Sequence, residues 1–259
     1  MTDTTASAPV TTRAAAPTAI RIGDVFGRSL KMFAAHWGAY CGMMALGFAF
    51  MAIVTGALAD RILAALERDT TISVVIGLAL LAAFGLSLLL ASAAVSFGVA
   101  QDIGGRRFSF GRSLGVMLAR SPAILALALL IGLYGMFALA FLIVPGAIVF
   151  SVYSVAIPAC MIEGLGPFQS MSRSAFLTKG NRWRIFGILC ALYVGGIAIG
   201  QLASLILEHI VGDMPAFAIW LTFNIVLGAF SGVTLGVLYV QLRAAREGPD
   251  IDRLAKVFD

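Results

Sequence analysis

Six apolar runs dominate this chain: about Gly38–Ala59, Ile72–Ala100, Ala123–Val144, Ala147–Met161, Ile185–Leu207 and Ala216–Val240. A helix needs roughly 20 apolar residues to cross the hydrocarbon of a bilayer. Five of the runs meet that length, and the second is long enough that it must tilt or protrude. The fourth is short and contains Pro158, so it is expected to be kinked or only partly helical. With 12% charged residues and a mean hydropathy of +0.98, the chain is too apolar for a soluble domain, whose surface needs roughly a quarter charged residues. The pattern predicts an all-α polytopic membrane protein with six transmembrane helices in three hairpins.

The connections between the runs set the orientation. Sixteen of the 18 Lys and Arg precede the first run, fall between the second and third or the fourth and fifth, or follow the sixth; only Arg61 and Arg68 lie on the opposite side. Positive charge is retained on the cytoplasmic face, so both termini are predicted to be cytoplasmic. On the far side a polar loop is expected from Asp60 to about Thr71, a tight turn at Pro145-Gly146, and a short loop with Glu208, His209 and Asp213 closed by Pro215.

A short string recurs on the cytoplasmic side. Phe26-Gly27-Arg28-Ser29-Leu30 returns as Phe110-Gly111-Arg112-Ser113-Leu114, with a weaker copy at Met171-Ser172-Arg173-Ser174-Ala175. Each copy sits in a segment with apolar residues at helical spacing and stands before a hairpin. The expectation is three units, about 21–100, 105–163 and 164–245, each a cytoplasmic amphipathic surface helix followed by two spans and related by an axis along the membrane normal. Residues 1–20, rich in Ala, Thr and Pro, are expected to form a disordered tail. Residues 246–259 form a cytoplasmic tail in which Ile251, Leu254, Val257 and Phe258 are spaced for a short amphipathic helix.

Within the spans, Gly228, Gly232 and Gly236, and likewise Gly196 and Gly200, repeat every four residues and make stripes for close helix contact. They are read as packing inside the bundle, because six helices already supply partners; a homo-oligomer is left open. Cys41, Cys160 and Cys190 lie in apolar runs without ligand spacing and are read as packing residues. Asn224 is expected to hydrogen-bond across helices. No nucleophile, acid–base pair or metal-ligand constellation is visible, so no catalytic residue, metal or cofactor is assigned, and the chain is read as a non-enzyme with no nucleic-acid partner.

Pro145-Gly146, Pro158-Ala159, Glu163-Gly164, Ser170, Arg173-Ser174, Leu177-Thr178-Lys179-Gly180 and Trp183-Arg184-Ile185-Phe186-Gly187 form a pattern that resembles the signature of the glycerophosphoryl diester phosphodiesterase membrane-domain superfamily. The resemblance covers about residues 20–245, and its specific part is 145–187. It implies a bacterial inner-membrane protein. Some relatives join this region to a soluble phosphodiesterase barrel; this chain has none, so that activity is not carried over.

Arginine near an anionic leaflet attracts phosphate and can hold it bidentately. Arg28, Arg112, Arg173, Lys179 and Arg184 are therefore the candidates for an anionic phospholipid headgroup site, the first three brought together by the pseudo-symmetry. Glu163 is expected either to contact a proton or headgroup, or to anchor the third surface helix through Arg173 or Arg184. The leading functional reading is a lipid-interacting or scaffold protein. The alternative is a transporter of a lipid or small amphiphile, with Pro158 marking a broken helix, and a weaker one is a phosphodiester-cleaving membrane enzyme.

Overall fold

The computed structural model describes residues 20–66, 70–106, 108–141 and 143–247. The expected tail of residues 1–20, save Ile20, and the short helix expected around Ile251–Phe258 lie outside them. The described chain forms α1 (Ile22–Ala57), α2 (Ala59–Leu66), α3 (Thr70–Ile103), α4 (Phe110–Phe141), α5 (Ile143–Tyr153), α6 (Ala156–Glu163), α7 (Pro167–Thr178) and α8 (Arg182–Leu189). A π-helical turn (Cys190–Val194), α9 (Gly195–Val211) and α10 (Asp213–Glu247) follow, and no strand occurs among the described residues.

Six stretches are long and apolar enough to cross a membrane: α1, α3, α4, the α5–α6 pair, α8 through α9, and α10. Their outward faces carry large apolar side chains, such as Phe50, Ile53, Leu81, Met136 and Ile197, each more than half exposed. A contiguous apolar surface of that kind is unfavourable in water and suits a lipid surround.

The centre of the bundle is a trio in which α1, α3 and α10 each pack against the other two. Glycine makes the approach close enough. A Cβ at Gly232 would meet Val95 at 3.0 Å and the Ser92 carbonyl at 3.2 Å, and one at Gly236 would meet the Ser96 carbonyl at 3.1 Å. Gly228 leaves the same room for Met44, while Gly196 and Gly200 receive Leu227 and Phe223 where α9 lies along α10. At this crossing Ser96 Oγ donates to the Gly232 carbonyl at 2.9 Å, a hydrogen bond between helices. Around the trio, α4 packs on α3 and α5, and α7 seats against α4, α5, α6 and α10.

The helices run through several positions where the sequence suggests breaks. The segment expected as the first surface helix is continuous with α1, which departs locally from helical geometry at His36 (φ −135°, ψ 31°). In α4 the helix continues through Pro122. Proline has no N–H for the Leu118 carbonyl, and Ser121 Oγ donates to that oxygen instead at 2.8 Å.

The polar loop expected after the first span is largely helical, as α2. Pro145-Gly146 is not a tight turn, because it falls in the first turn of α5, where a missing N–H costs nothing. The far-side loop expected between the last two spans reduces to Gly212, whose φ of +81° suits only glycine, and Pro215 again occupies a first turn, that of α10. The fourth span is interrupted as expected, but at Ser154–Val155, just before Pro158. Asn224 does not reach another helix; its Nδ2 donates to the Trp220 carbonyl one turn back at 2.8 Å.

Replacing Gly232 by Leu inserts a branched side chain against Val95 and the α3 backbone, and overpacking of this kind costs about 1–3 kcal/mol or more. The folded, monodisperse fraction recovered from membranes, read by size-exclusion chromatography, is expected to fall sharply for Gly232→Leu. It should be unchanged for Gly77→Leu, where a Cβ meets nothing within 4 Å.

Candidate functional site

Twelve of the thirteen described Lys and Arg lie at one end of the bundle, on the N-terminal part of α1, the α3–α4 connection, the start of α4, α7 to α8, and the end of α10; the exception is Arg61. The structure sorts these cations into groups with different surroundings.

The first group is neutralised. Glu163, the last residue of α6, accepts from Arg173 Nε at 2.9 Å and Nη2 at 2.8 Å, a bidentate fork on α7. Arg173 Nη1 reaches Glu247 at 2.5 Å, Arg243 Nε pairs with Glu247 at 3.0 Å, and Arg243 Nη1 lies 3.8 Å from Glu163. Tyr239, fully buried on α10, donates its hydroxyl to Glu163. Two guanidinium groups thus face two carboxylates, and the net charge of the cluster is zero. Burial would lower the Arg173 pKa, but hydrogen bonds to Glu247 and Glu163 and their charges outweigh it and raise the pKa above its ordinary value.

Next to this cluster, Arg120 Nη1 donates to the Cys160 carbonyl at 3.4 Å, placing a cation at the C-terminal end of α6 where the helix dipole favours it. Gly164, with φ +74°, terminates α6, and a Cβ there would meet the Arg120 guanidinium at 2.6 Å. Arg112 and Arg120 line a cavity of about 190 Å³ beside Glu163.

The second group is not neutralised. A cavity of about 590 Å³ opens between α5, the α7–α8 connection and the end of α10, with Lys179, Arg182, Arg184 and Arg246 in its wall and neither Asp nor Glu. Two of its guanidinium groups are fixed by neutral partners. Arg246 donates to the Lys179 carbonyl and stacks over Phe176 at 5.7 Å; Arg184 donates to Asn181 Oδ1 at 3.4 Å. Gly180 turns the chain here with φ +88°, and a Cβ would sit 3.7 Å from Arg246 Nη2. The rest of the wall is apolar, including Ala147, Ile148, Trp183 and Phe186. Trp183 is 71% exposed beside its edge-on partner Phe186, an arrangement suited to a membrane interface.

Of the residues singled out in the sequence, Glu163 and Arg173 are brought together, and Lys179 and Arg184 share the uncompensated cavity. Arg28 is exposed on α1, and the cavity that Arg112 lines contains neither Arg28 nor Arg173. The expected convergence of the three arginines is therefore not formed around either cavity. What the three copies of the string do share is a fully buried serine: Ser29, Ser113 and Ser174 are each 0% exposed. Ser29 donates to the Val25 carbonyl, Ser113 accepts from Gln101, and Ser174 donates across to the Val152 carbonyl at 2.7 Å. Arg182 and Arg246 were missed in the sequence. Arg182 could have been found from its place between Lys179 and Arg184, whereas nothing local to Arg246 links it to a loop 67 residues earlier.

A second cavity, of about 350 Å³, opens between the helices and is mainly apolar. Met44, Ser92, Pro158, Tyr193, Asn224 and Ser231 are among the residues in its wall, so both irregular helices, the interrupted α5–α6 span and the π-helical turn, border it.

Comparison with known protein families, characterised proteins and solved structures gives no match.

Removing one partner of a largely buried, hydrogen-bonded ion pair costs on the order of 3 kcal/mol, because the other charge is left unpaired. Glu163→Gln leaves Arg173 and Arg243 with one carboxylate between them and is expected to lower the melting temperature of the purified protein by several degrees. Arg182→Gln, at an exposed position without a described partner, should leave it unchanged. Equal melting temperatures would show that the cluster does not hold α6, α7 and α10 together.

Proposed function

We propose that this chain is a non-enzymatic, lipid-interacting protein of a bacterial inner membrane that holds an anionic phospholipid headgroup in the cavity walled by Lys179, Arg182, Arg184 and Arg246. The observation that carries the proposal is a cavity with a cationic part and a larger apolar part, in whose wall four cations meet no carboxylate among the described residues. Fixed guanidinium groups offer paired donors to phosphate oxygens, and each cation near an anionic leaflet contributes about 1 kcal/mol of attraction. The apolar part of the wall, with Trp183 at its edge, is where the glycerol and the start of the acyl chains would lie.

The basic end faces the cytoplasm in this reading, as retention of positive charge requires, and both termini are cytoplasmic. Membership of the glycerophosphoryl diester phosphodiesterase membrane-domain superfamily is part of the same proposal. So is a threefold repeat of surface helix and hairpin, supported by the three equivalent buried serines. The headgroup residues are revised from the sequence reading: Arg173 serves the ion cluster with Glu163, and Arg182 and Arg246 join Lys179 and Arg184.

Native mass spectrometry of the protein released from membranes tests the site. Anionic phospholipid should remain bound to the wild type and be lost several-fold in the Arg184→Gln/Arg246→Gln double variant. Arg28→Gln, remote from the cavity wall, should retain it. Equal retention in all three would reject the site.

A second reading, transport of a lipid or small amphiphile, is favoured by one observation. The α6 half of the interrupted fourth span and the π-helical turn border the same cavity, and irregular helices at mid-membrane are a recurrent feature of substrate sites in transporters. Protein-dependent movement of a labelled phospholipid between leaflets of reconstituted liposomes is the measurement that distinguishes it. Transport predicts a rate above that of protein-free vesicles, whereas binding alone predicts none.

A further inference from the structure

We infer that the head held between Lys179 and Arg246 carries two directly linked phosphate groups, so that the ligand is a lipid diphosphate and not a simple phosphodiester lipid; this rests on the headgroup site proposed above.

Charge is the first argument. A phosphodiester brings one negative charge to a wall with four cations and no carboxylate among the described residues, and would leave most of them uncompensated. A diphosphate monoester brings two from the strongly acidic hydroxyl of each phosphate and part of a third, because its terminal phosphate ionises again near neutral pH.

The second argument is the arrangement of donors. Two guanidinium groups already have neutral partners: Arg246 the Lys179 carbonyl and the Phe176 ring, Arg184 the Asn181 Oδ1. A guanidinium fork matches the two oxygens of one phosphate, so two fixed forks match two phosphates. The anchoring partners are neutral oxygens and a ring face, which orient the forks without cancelling their charge. This is the opposite of the Arg173–Glu163 arrangement nearby.

Convergence is the third. Three of the cations come from six consecutive residues, Lys179 to Arg184, and the fourth is hydrogen-bonded to the backbone of that same segment. Charges gathered on one turn suit phosphates that are bonded to each other better than phosphates spread along a longer head. Size agrees, since one phosphate group would fill a small part of a cavity of about 590 Å³. The apolar side of the cavity, with Ile148 and Trp183 both exposed, gives the hydrocarbon chain a route into the bilayer.

The test measures binding of four probes to the full-length protein in nanodiscs of neutral lipid: farnesyl diphosphate, farnesyl monophosphate, phosphatidylglycerol and inorganic pyrophosphate. Farnesyl diphosphate is expected to bind at least about tenfold more tightly than the monophosphate with the same chain. That preference should shrink in Arg184→Gln and in Arg246→Gln, each checked for a wild-type elution profile. If either variant fails to fold, Lys179→Gln, at an exposed position, is expected to show the same loss of preference. Equal binding of diphosphate, monophosphate and phosphatidylglycerol would overturn the diphosphate inference and leave the headgroup site standing. No binding of any anionic lipid would overturn both. Pyrophosphate binding as tight as farnesyl diphosphate would overturn the assignment to a lipid.

Discussion

The arrangement of the basic end depends on the pairing of Glu163 with Arg173. In a protein whose spans offer almost no polar contacts, the cluster of Glu163, Arg173, Arg243, Glu247 and Tyr239 ties α6, α7 and the end of α10 together with directional bonds. Because the two charges of each sign cancel, the cluster sits among packed helices without a net desolvated charge. It also fixes the point from which the chain leaves α7 toward α8, and so determines where Lys179, Asn181 and Arg184 stand relative to Arg246. The uncompensated cavity is thus positioned by the compensated cluster beside it.

Further along the spans, packing follows a different rule. Lipid is as apolar as leucine, so close approach and a few hydrogen bonds replace hydrophobic exclusion as the source of helix association. The glycines of α10 let α3 and α1 reach its backbone, and Ser96 bridges to the Gly232 carbonyl at the crossing. Away from that rigid contact, irregularity is concentrated in the fourth and fifth spans. Residues of both, Ile157 and Pro158 after the first break and Tyr193 in the π-helical turn, line the same cavity.

Proline shows the limit of a local signal. Pro145 and Pro215 look like boundaries in the sequence, yet both occupy first turns, where the missing N–H is not needed. The π-helical turn at Cys190–Val194 left no trace in a run of apolar residues. Glycine spacing was more informative, since a four-residue period places small residues on one helix face whatever the partner turns out to be, and the partners of Gly228, Gly232 and Gly236 proved to be Met44, Val95 and the Ser96 backbone.

The sequence by itself determined the helical class, the six apolar stretches and the concentration of basic residues at one end, because each follows from composition along a single segment. It also named Glu163 and Arg173 as candidates for a pair, being ten residues apart across one turn of chain. Only the tertiary structure decided which cations are spent in ion pairs and which are left open. That depends on where Glu247, Tyr239 and Arg246 of α10 come to rest, and their distance along the chain from Glu163 and Lys179 hides it from any local pattern. Charge at one end is a property of the sequence; uncompensated charge in a cavity is a property of the fold, since compensation requires two side chains to meet.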